Sequence, residues 1–211
     1  MPKLYFILFL FFTITSFHHY NHNPNDEWEL VKSDEQMKVF TRISPDCAIK
    51  EVKVIGILNC SLNSVVQSLI KVEDYPKWIY KCKKAFQFYT INKDEFHYYV
   101  YTDMPFPFHD RDMVIHTRQW YDSKGVWYSS SIAKPDLLLT KKGVIRIKKS
   151  HIKWEIKKLT DQSVEYYYYI SMDPGGALPA WLINLGIEKG PIGTLNALEK
   201  YSIEQMRKGQ I

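Results

Sequence analysis

Cysteine is scarce in this chain and follows no pattern where it occurs. Cys47, Cys60 and Cys82 are three in 211 residues, with neither CxxC spacing nor an even count. Neither a metal site nor a disulfide framework finds support in that spacing; one disulfide beside one free thiol stays open if the protein is exported. Catalytic signatures are missing as well. His97, His109, His116 and His151 are scattered, and none sits in a GxSxG, HExxH or Cys-His context. His109 beside Asp110 comes nearest to an acid–base pair, yet neighbours on a strand face opposite ways. No zinc spacing, RNA-binding signature or helix-turn-helix pattern accompanies the formal net charge of +5, which argues against a nucleic-acid partner. The residues therefore predict neither a cofactor nor a metal.

Long apolar runs are absent except at the start. Lys3 precedes residues 4–14, which are apolar apart from Thr13. At ~1.5 Å per helical residue that stretch falls short of a ~30 Å hydrocarbon core. Residues 1–16 read as a secretory signal that exports the protein, or as a membrane tether if uncleaved; the cleavage site is a poor small-x-small match, with Ile14 or Thr13 at −3. Residues 17–26 read as a polar linker. Its His18, His19 and His22 could hold a metal only from a helix, which Asn21, Asn23, Pro24 and Asn25 disfavour.

What remains, residues 27–208, has no internal repeat and reads as one domain. Hydrophobic residues at 45% and charged residues at 24% are ordinary globular values, enough for a sizeable core. Short strands are predicted at 28–32 and 37–42, then 49–58. Ser61 caps a predicted helix in which Leu62, Val65, Val66, Leu69 and Ile70 share a face. Strands follow in series at 85–90, 96–101, 111–120, 126–132, 144–149, 152–158 and 163–172, with tight turns that predict an antiparallel meander. Val164, Tyr166, Tyr168, Ile170 and Met172 alternate with Ser163, Glu165, Tyr167, Tyr169 and Ser171, the period of two of a pleated strand. Asp173-Pro174-Gly175-Gly176 is turn chemistry. Beyond it a long apolar helix is predicted from about 178 to 208, with Ile192, Leu195 and Met206 on one face. Gly186, Gly190, Pro191 and Gly193 interrupt it and invite a kink, or serve close packing on the sheet. The fold class is thus α+β: a curved antiparallel sheet of about eight or nine strands, its dry face covered by the C-terminal helix and a shorter one near residues 61–70.

Lys141, Lys142, Arg146, Lys148, Lys149, Lys153, Lys157 and Lys158 form the densest basic patch. It reads as a solvated strand face, or as a weak attraction to an anionic membrane at ~1 kcal/mol per nearby cation.

Four separated motifs in one order resemble a known family. They are Trp28 to Arg42 (WELVKSDEQMKVFTR), Val72-Glu73-Asp74-Tyr75-Pro76-Lys77-Trp78, Met104-Pro105-Phe106-Pro107-Phe108-His109-Asp110-Arg111-Asp112, and Asp173-Pro174-Gly175-Gly176 followed by Leu178-Pro179-Ala180-Trp181-Leu182. Over roughly residues 28–207 the chain resembles the START domain, the steroidogenic-acute-regulatory-related lipid transfer module of the helix-grip superfamily. The resemblance implies a deep hydrophobic cavity between sheet and C-terminal helix that holds one lipid or other apolar molecule, gated by loops and by that helix. It implies lipid binding or transfer by a monomer, with transient membrane contact and no chemistry of its own. The exported-looking N-terminus departs from many relatives and puts a cytosolic shuttle role in doubt.

Candidate cavity residues are Arg111, Asp110, Tyr98, Trp154, Tyr166, Tyr168, Ile170, Trp181, Leu182 and Leu195. Asp110-Arg111-Asp112 has two readings: an ion pair fixing the Pro-rich turn, or a polar anchor for a ligand head group with Arg111 as donor. In either case burial requires that Arg111 be partnered in the empty state. Alternatives from other classes are an enzyme of the same superfold, cyclase- or hydratase-like, working through His109 or Asp110, and a membrane-tethered interaction protein.

Overall fold

Alternation becomes pleat from residue 29 onward. A computed structural model describes residues 27–209; the predicted signal or tether, the linker and its three histidines lie outside the described residues. The first strands are β1 (Glu29–Ser33), β2 (Met37–Ile43) and β3 (Lys50–Leu58). Helix α1 (Leu62–Ile70) follows, with a 3-10 turn at Val72–Lys77. Next come β4 (Cys82–Asn92), β5 (Glu95–Thr102), β6 (Asp110–Tyr121), β7 (Trp127–Ala133), β8 (Val144–Arg146), β9 (Lys149–Thr160) and β10 (Ser163–Asp173). Two helices, α2 (Ala180–Asn184) and α3 (Lys189–Arg207), end the described chain.

The strands form one sheet in the order β1-β2-β3-β10-β9-β7-β6-β5-β4, and each neighbour pair in it is antiparallel. Tight turns account for the hairpins, while the long-range β3–β10 pairing joins the two halves of the chain. Tyr168 stands opposite Val54 on one side and Trp154 on the other. One element departs from the expected meander. β8 is only three residues long and pairs parallel to the start of β6, Asp110 to Asp112 against Val144 to Arg146.

The inner face carries the core: Val39, Val52, Val54, Ile115, Ile156 and Tyr166 pack with Val65 of α1 and with Leu195 and Leu198 of α3. Ser61 caps α1, its hydroxyl accepting from Ser64 N at 3.2 Å. Small residues let α1 and α3 approach closely: Ser64 Oγ donates to Ser202 O at 2.7 Å, and Ser68 Oγ lies 3.0 Å from Ser202 Oγ. Asp74 binds the 3-10 turn to α3. Its carboxylate accepts from Tyr201 OH at 2.5 Å and pairs with Lys71 and Lys77. Burial alone would raise that carboxyl's pKa, but the hydrogen bonds from Lys77, Tyr201 and Lys71 outweigh it and hold it well below the usual carboxylate range.

The single C-terminal helix expected from about 178 to 208 is two helices, interrupted at residues 185–188. Gly190, Pro191 and Gly193 fall in the first turns of α3, where a proline loses no intrahelical bond. A Cβ at Gly193 would stand 3.2 Å from the Tyr80 ring, so close packing explains that glycine.

Candidate functional site

Five strands and α3 converge on an apolar pocket of about 250 Å³. Residues two apart on each strand share a face, so β5 supplies Phe96, Tyr98 and Val100, β6 Met113 and Ile115, β9 Ile152 and Trp154, and β10 Tyr168, Ile170 and Met172. The cover is α3, through Gly190, Pro191 and Thr194, with Trp78, Ile79 and Tyr80 leading into β4. Thr194 Oγ1 accepts from Tyr80 N at 3.1 Å and ties these two pieces together.

The same alternation carries polar side chains into the wall. Thr117 and Gln119 follow Met113 and Ile115 on the inner face of β6, directly opposite Ser131 and Ser129 of β7. Thr117 Oγ1 and Ser131 Oγ are hydrogen-bonded at 2.6 Å. None of the lining residues carries charge at neutral pH: the wall holds no carboxylate, imidazole, ammonium, guanidinium or thiol. Burial raises the pKa of Tyr75, Tyr98 and Tyr168, which keeps their phenols neutral.

Beneath α2 lies a smaller apolar pocket of about 180 Å³, which shares Ile170, Met172, Gly190 and Pro191 with the first. Ile183 and Ile187 close it from above. α2 has no fully buried residue, and among the described residues its Asn184 side chain fastens it to the start of β3 and the residues before it: Asn184 Oδ1 accepts from Lys50 N at 2.8 Å, and Asn184 Nδ2 donates to Ala48 O at 3.0 Å. Upstream of it, Gly175 and Gly176 take φ of 65° and 75°, the left-handed region that glycine adopts at no steric cost.

A ten-stranded sheet folded against a long C-terminal helix, with an uncharged pocket between them, is the arrangement that the four motifs imply. A family model for the START domain matches residues 20–200. The chain belongs to the START family. It is 25% identical to human phosphatidylcholine transfer protein, over 78% of each chain. The crystal structure of a STAR-related lipid transfer protein from Xanthomonas axonopodis superposes with a TM-score of 0.77 at 27% identity, covering 84% of this chain and 99% of that one. Human StAR-related lipid transfer protein 5 shares the fold, with a TM-score of 0.74 at 15% identity over 84% of this chain and 86% of that one.

Within this START fold the ten candidate residues separate. Tyr98, Trp154, Tyr168 and Ile170 line the pocket together. Tyr166 is buried one step along β10, its hydroxyl pressed over Gly56, where a Cβ would meet it at 2.7 Å. Leu195 is fully buried in the core cluster rather than in the wall. Trp181 and Leu182 point outward from α2, Trp181 69% exposed. Asp110 and Arg111 stand at the loop end of β6, away from the pocket wall.

That end is a corner of fixed charges. Arg146 pairs with Asp112 through Nε to Oδ1 at 2.7 Å and Nη2 to Oδ2 at 3.0 Å, and it donates to the carbonyls of Pro135, Leu138 and Leu139. Arg111 donates to the carbonyls of His109, Pro174 and Gly175. Asp110 accepts from Tyr101 OH and from Met104 N. Arg111 is thus partnered, but by backbone carbonyls rather than by an adjacent aspartate, and the ion pair at this corner is Asp112–Arg146. Two buried arginines so bind the loops around residues 104–109, 135–139 and 174–176 to the sheet. Those loops, α2 and the break after it present Phe106 (96% exposed), Leu139 (94%), Trp181 and Leu185 (75%) to solvent.

Sequence reading missed Trp78, Thr117, Gln119, Ser129, Ser131 and Thr194 as wall residues. For Thr117 and Gln119 the signal was their phase with Met113 and Ile115. Among the described residues no group of His, Cys, Asp or Glu is placed to hold a metal, and no helix is long and apolar enough to cross a membrane. All three cysteines are free thiols; burial pushes Cys60 up to about 12 and Cys82 up to about 11.

Proposed function

We propose that this START domain, as a monomer, takes one lipid or other apolar small molecule into the pocket between sheet and α3, and exchanges it at a membrane surface. One observation carries this reading: the pocket wall is mostly apolar and carries no charge. Such a wall binds by desolvation, each buried methylene contributing about 0.8 kcal/mol, and offers no proton donor or acceptor of the strength that acid–base turnover needs. The family relationship supports the same reading, since relatives in it are named for lipid transfer.

Exchange needs an opening, and α2 is the weakest part of the cover. It has no fully buried residue, hangs from a Gly-Gly turn and, among the described residues, is hydrogen-bonded to the sheet side by the Asn184 side chain. Lifting it joins the smaller pocket to the larger, bringing the space into the ~300–1,000 Å³ range of small-molecule sites. The exposed apolar residues Phe106, Leu139, Trp181 and Leu185, with Lys141 and Lys142 next to Leu139 in sequence, suit contact with an anionic bilayer during that step. Residues 1–16 fit this role as an export signal, or as a tether that holds the domain at its membrane; sequencing the mature N-terminus decides which.

Native mass spectrometry of purified protein tests the central reading. The expected result is one co-purified apolar molecule per chain, or stoichiometric uptake from a lipid panel. Failure to bind any member of a broad panel sinks it.

A further inference from the structure

Two residues that line the pocket each hold a buried polar atom without a partner, and these say what kind of molecule it takes. Gln119 is 8% exposed and Trp78 4% exposed, and both line the pocket. Gln119 Oε1 and Trp78 Nε1 are buried with no hydrogen-bond partner among the described residues. The orientation of the Gln119 amide is fixed, because its Nε2 donates to Lys93 O at 3.3 Å, which leaves Oε1 as the free end. A buried acceptor without a donor is costly. Natural proteins keep few such groups, so an unpaired one in a cavity marks where a ligand completes the bond.

The rung beside Gln119 limits the alternatives. Thr117 Oγ1 and Ser131 Oγ satisfy each other at 2.6 Å. The open acceptor is therefore carried by Gln119, and it calls for a hydrogen-bond donor, which a hydroxyl supplies and an ester or ether oxygen does not. Charge is excluded from the same place. A phosphodiester brought inside needs a cation, and the wall has none. The smaller pocket has one, Lys50, but its Nζ is turned to Glu29 and Thr41. Arg111 and Arg146 are spent on the loops.

We infer that the pocket takes an uncharged apolar molecule bearing a free hydroxyl, which enters polar end first and donates to Gln119 Oε1, rather than a phospholipid. The inference rests on the lipid-binding reading above and narrows it. Trp78 Nε1–H is a second point of recognition, for an acceptor oxygen on the ligand.

The probes are hexadecanol and cholesterol, the methyl ether of each, and dipalmitoylphosphatidylcholine, with displacement of a fluorescent fatty probe as readout. The wild-type protein is expected to prefer each alcohol over its ether by about 5–10-fold, the span of one net hydrogen bond, and to take up phosphatidylcholine poorly. Gln119→Leu should lose the alcohol-over-ether preference while still binding the ethers. Gln119→Glu, which places a charge there, should weaken all five; its fold is checked by circular dichroism. Equal binding of alcohol and ether by the wild type, or phosphatidylcholine bound as tightly as the alcohols, overturns the inference and leaves lipid binding standing. No binding of any probe overturns both.

Discussion

Strand β6 buries polar side chains at both of its ends, and the two ends behave differently. At its start Arg111 and Asp112 are charged, buried and fully engaged with backbone carbonyls and with Arg146. Toward its far end Thr117 and Gln119 are neutral, buried and face the pocket, with one acceptor still open. Charge taken from water must be paired at once, so it becomes architecture. An unpaired neutral amide costs about 1–3 kcal/mol, far less than an unpaired charge, and so can be left waiting for a ligand. In this molecule buried charge fixes loops, and buried neutral polarity is what remains for recognition.

The sharpest attempt to break that contrast is Arg146→Met. It removes the guanidinium and leaves Asp112 buried with Tyr99 OH, at 3.1 Å, as its remaining side-chain partner among the described residues. The expected loss is about 3–5 kcal/mol in urea unfolding, with faster proteolysis in the 134–143 loop. Loss below about 1 kcal/mol would mean that the corner does not hold the loops.

Asp74 extends the comparison to a second fixed charge. Its carboxyl is held below the unfolded value of about 3.9 by Lys77, Tyr201 and Lys71 against the cost of burial. A depressed folded pKa gives stability that is present above about pH 4 and lost as pH falls toward the folded value. Asp74→Asn should cost about 2 kcal/mol at neutral pH and flatten the acid limb of the stability profile. Chemical denaturation at a series of pH values reads both, and an unchanged acid limb would assign that limb to other carboxylates.

Asn184 is the neutral counterpart on the cover. Asn184→Ala removes both bonds to the 48–50 segment, at an expected cost of about 1 kcal/mol. Its larger effect should be kinetic: faster release of bound probe into acceptor vesicles with little change in equilibrium affinity. Unchanged release would place the opening elsewhere than at α2.

The fold was legible because its signals are local and repeated. Val164, Tyr166, Tyr168, Ile170 and Met172 declare β10 by alternation, and Ser61 declares α1 by its cap. The pocket was legible only where aromatic residues advertise it, as Tyr98, Trp154 and Tyr168 do. Arg111 and Asp110 attracted a binding role because charge near a proline-rich turn looks functional, and only tertiary partners distant in sequence, such as Pro174 and Gly175, reveal its structural work. β8 escaped the meander pattern because its pairing depends on Arg146 finding Asp112 across 34 positions, which no periodicity encodes. Trp181 and Leu182 looked like pocket residues because an apolar helix suggests a buried one; the break at 185–188 turns them outward.

The smallest expected effect is the most discriminating. Gln119→Leu deletes one bond to Lys93 O, worth about 1 kcal/mol, and also deletes a buried acceptor whose lack of a partner costs about 1–3 kcal/mol. The two oppose, so the ligand-free protein should keep its stability to within about 1 kcal/mol or gain slightly. Urea unfolding of delipidated protein measures this directly. A loss comparable to that of Arg146→Met would make Gln119 as structural as the arginine and erase the difference between the two ends of β6. Retained stability with lost alcohol preference would establish that difference in a single residue.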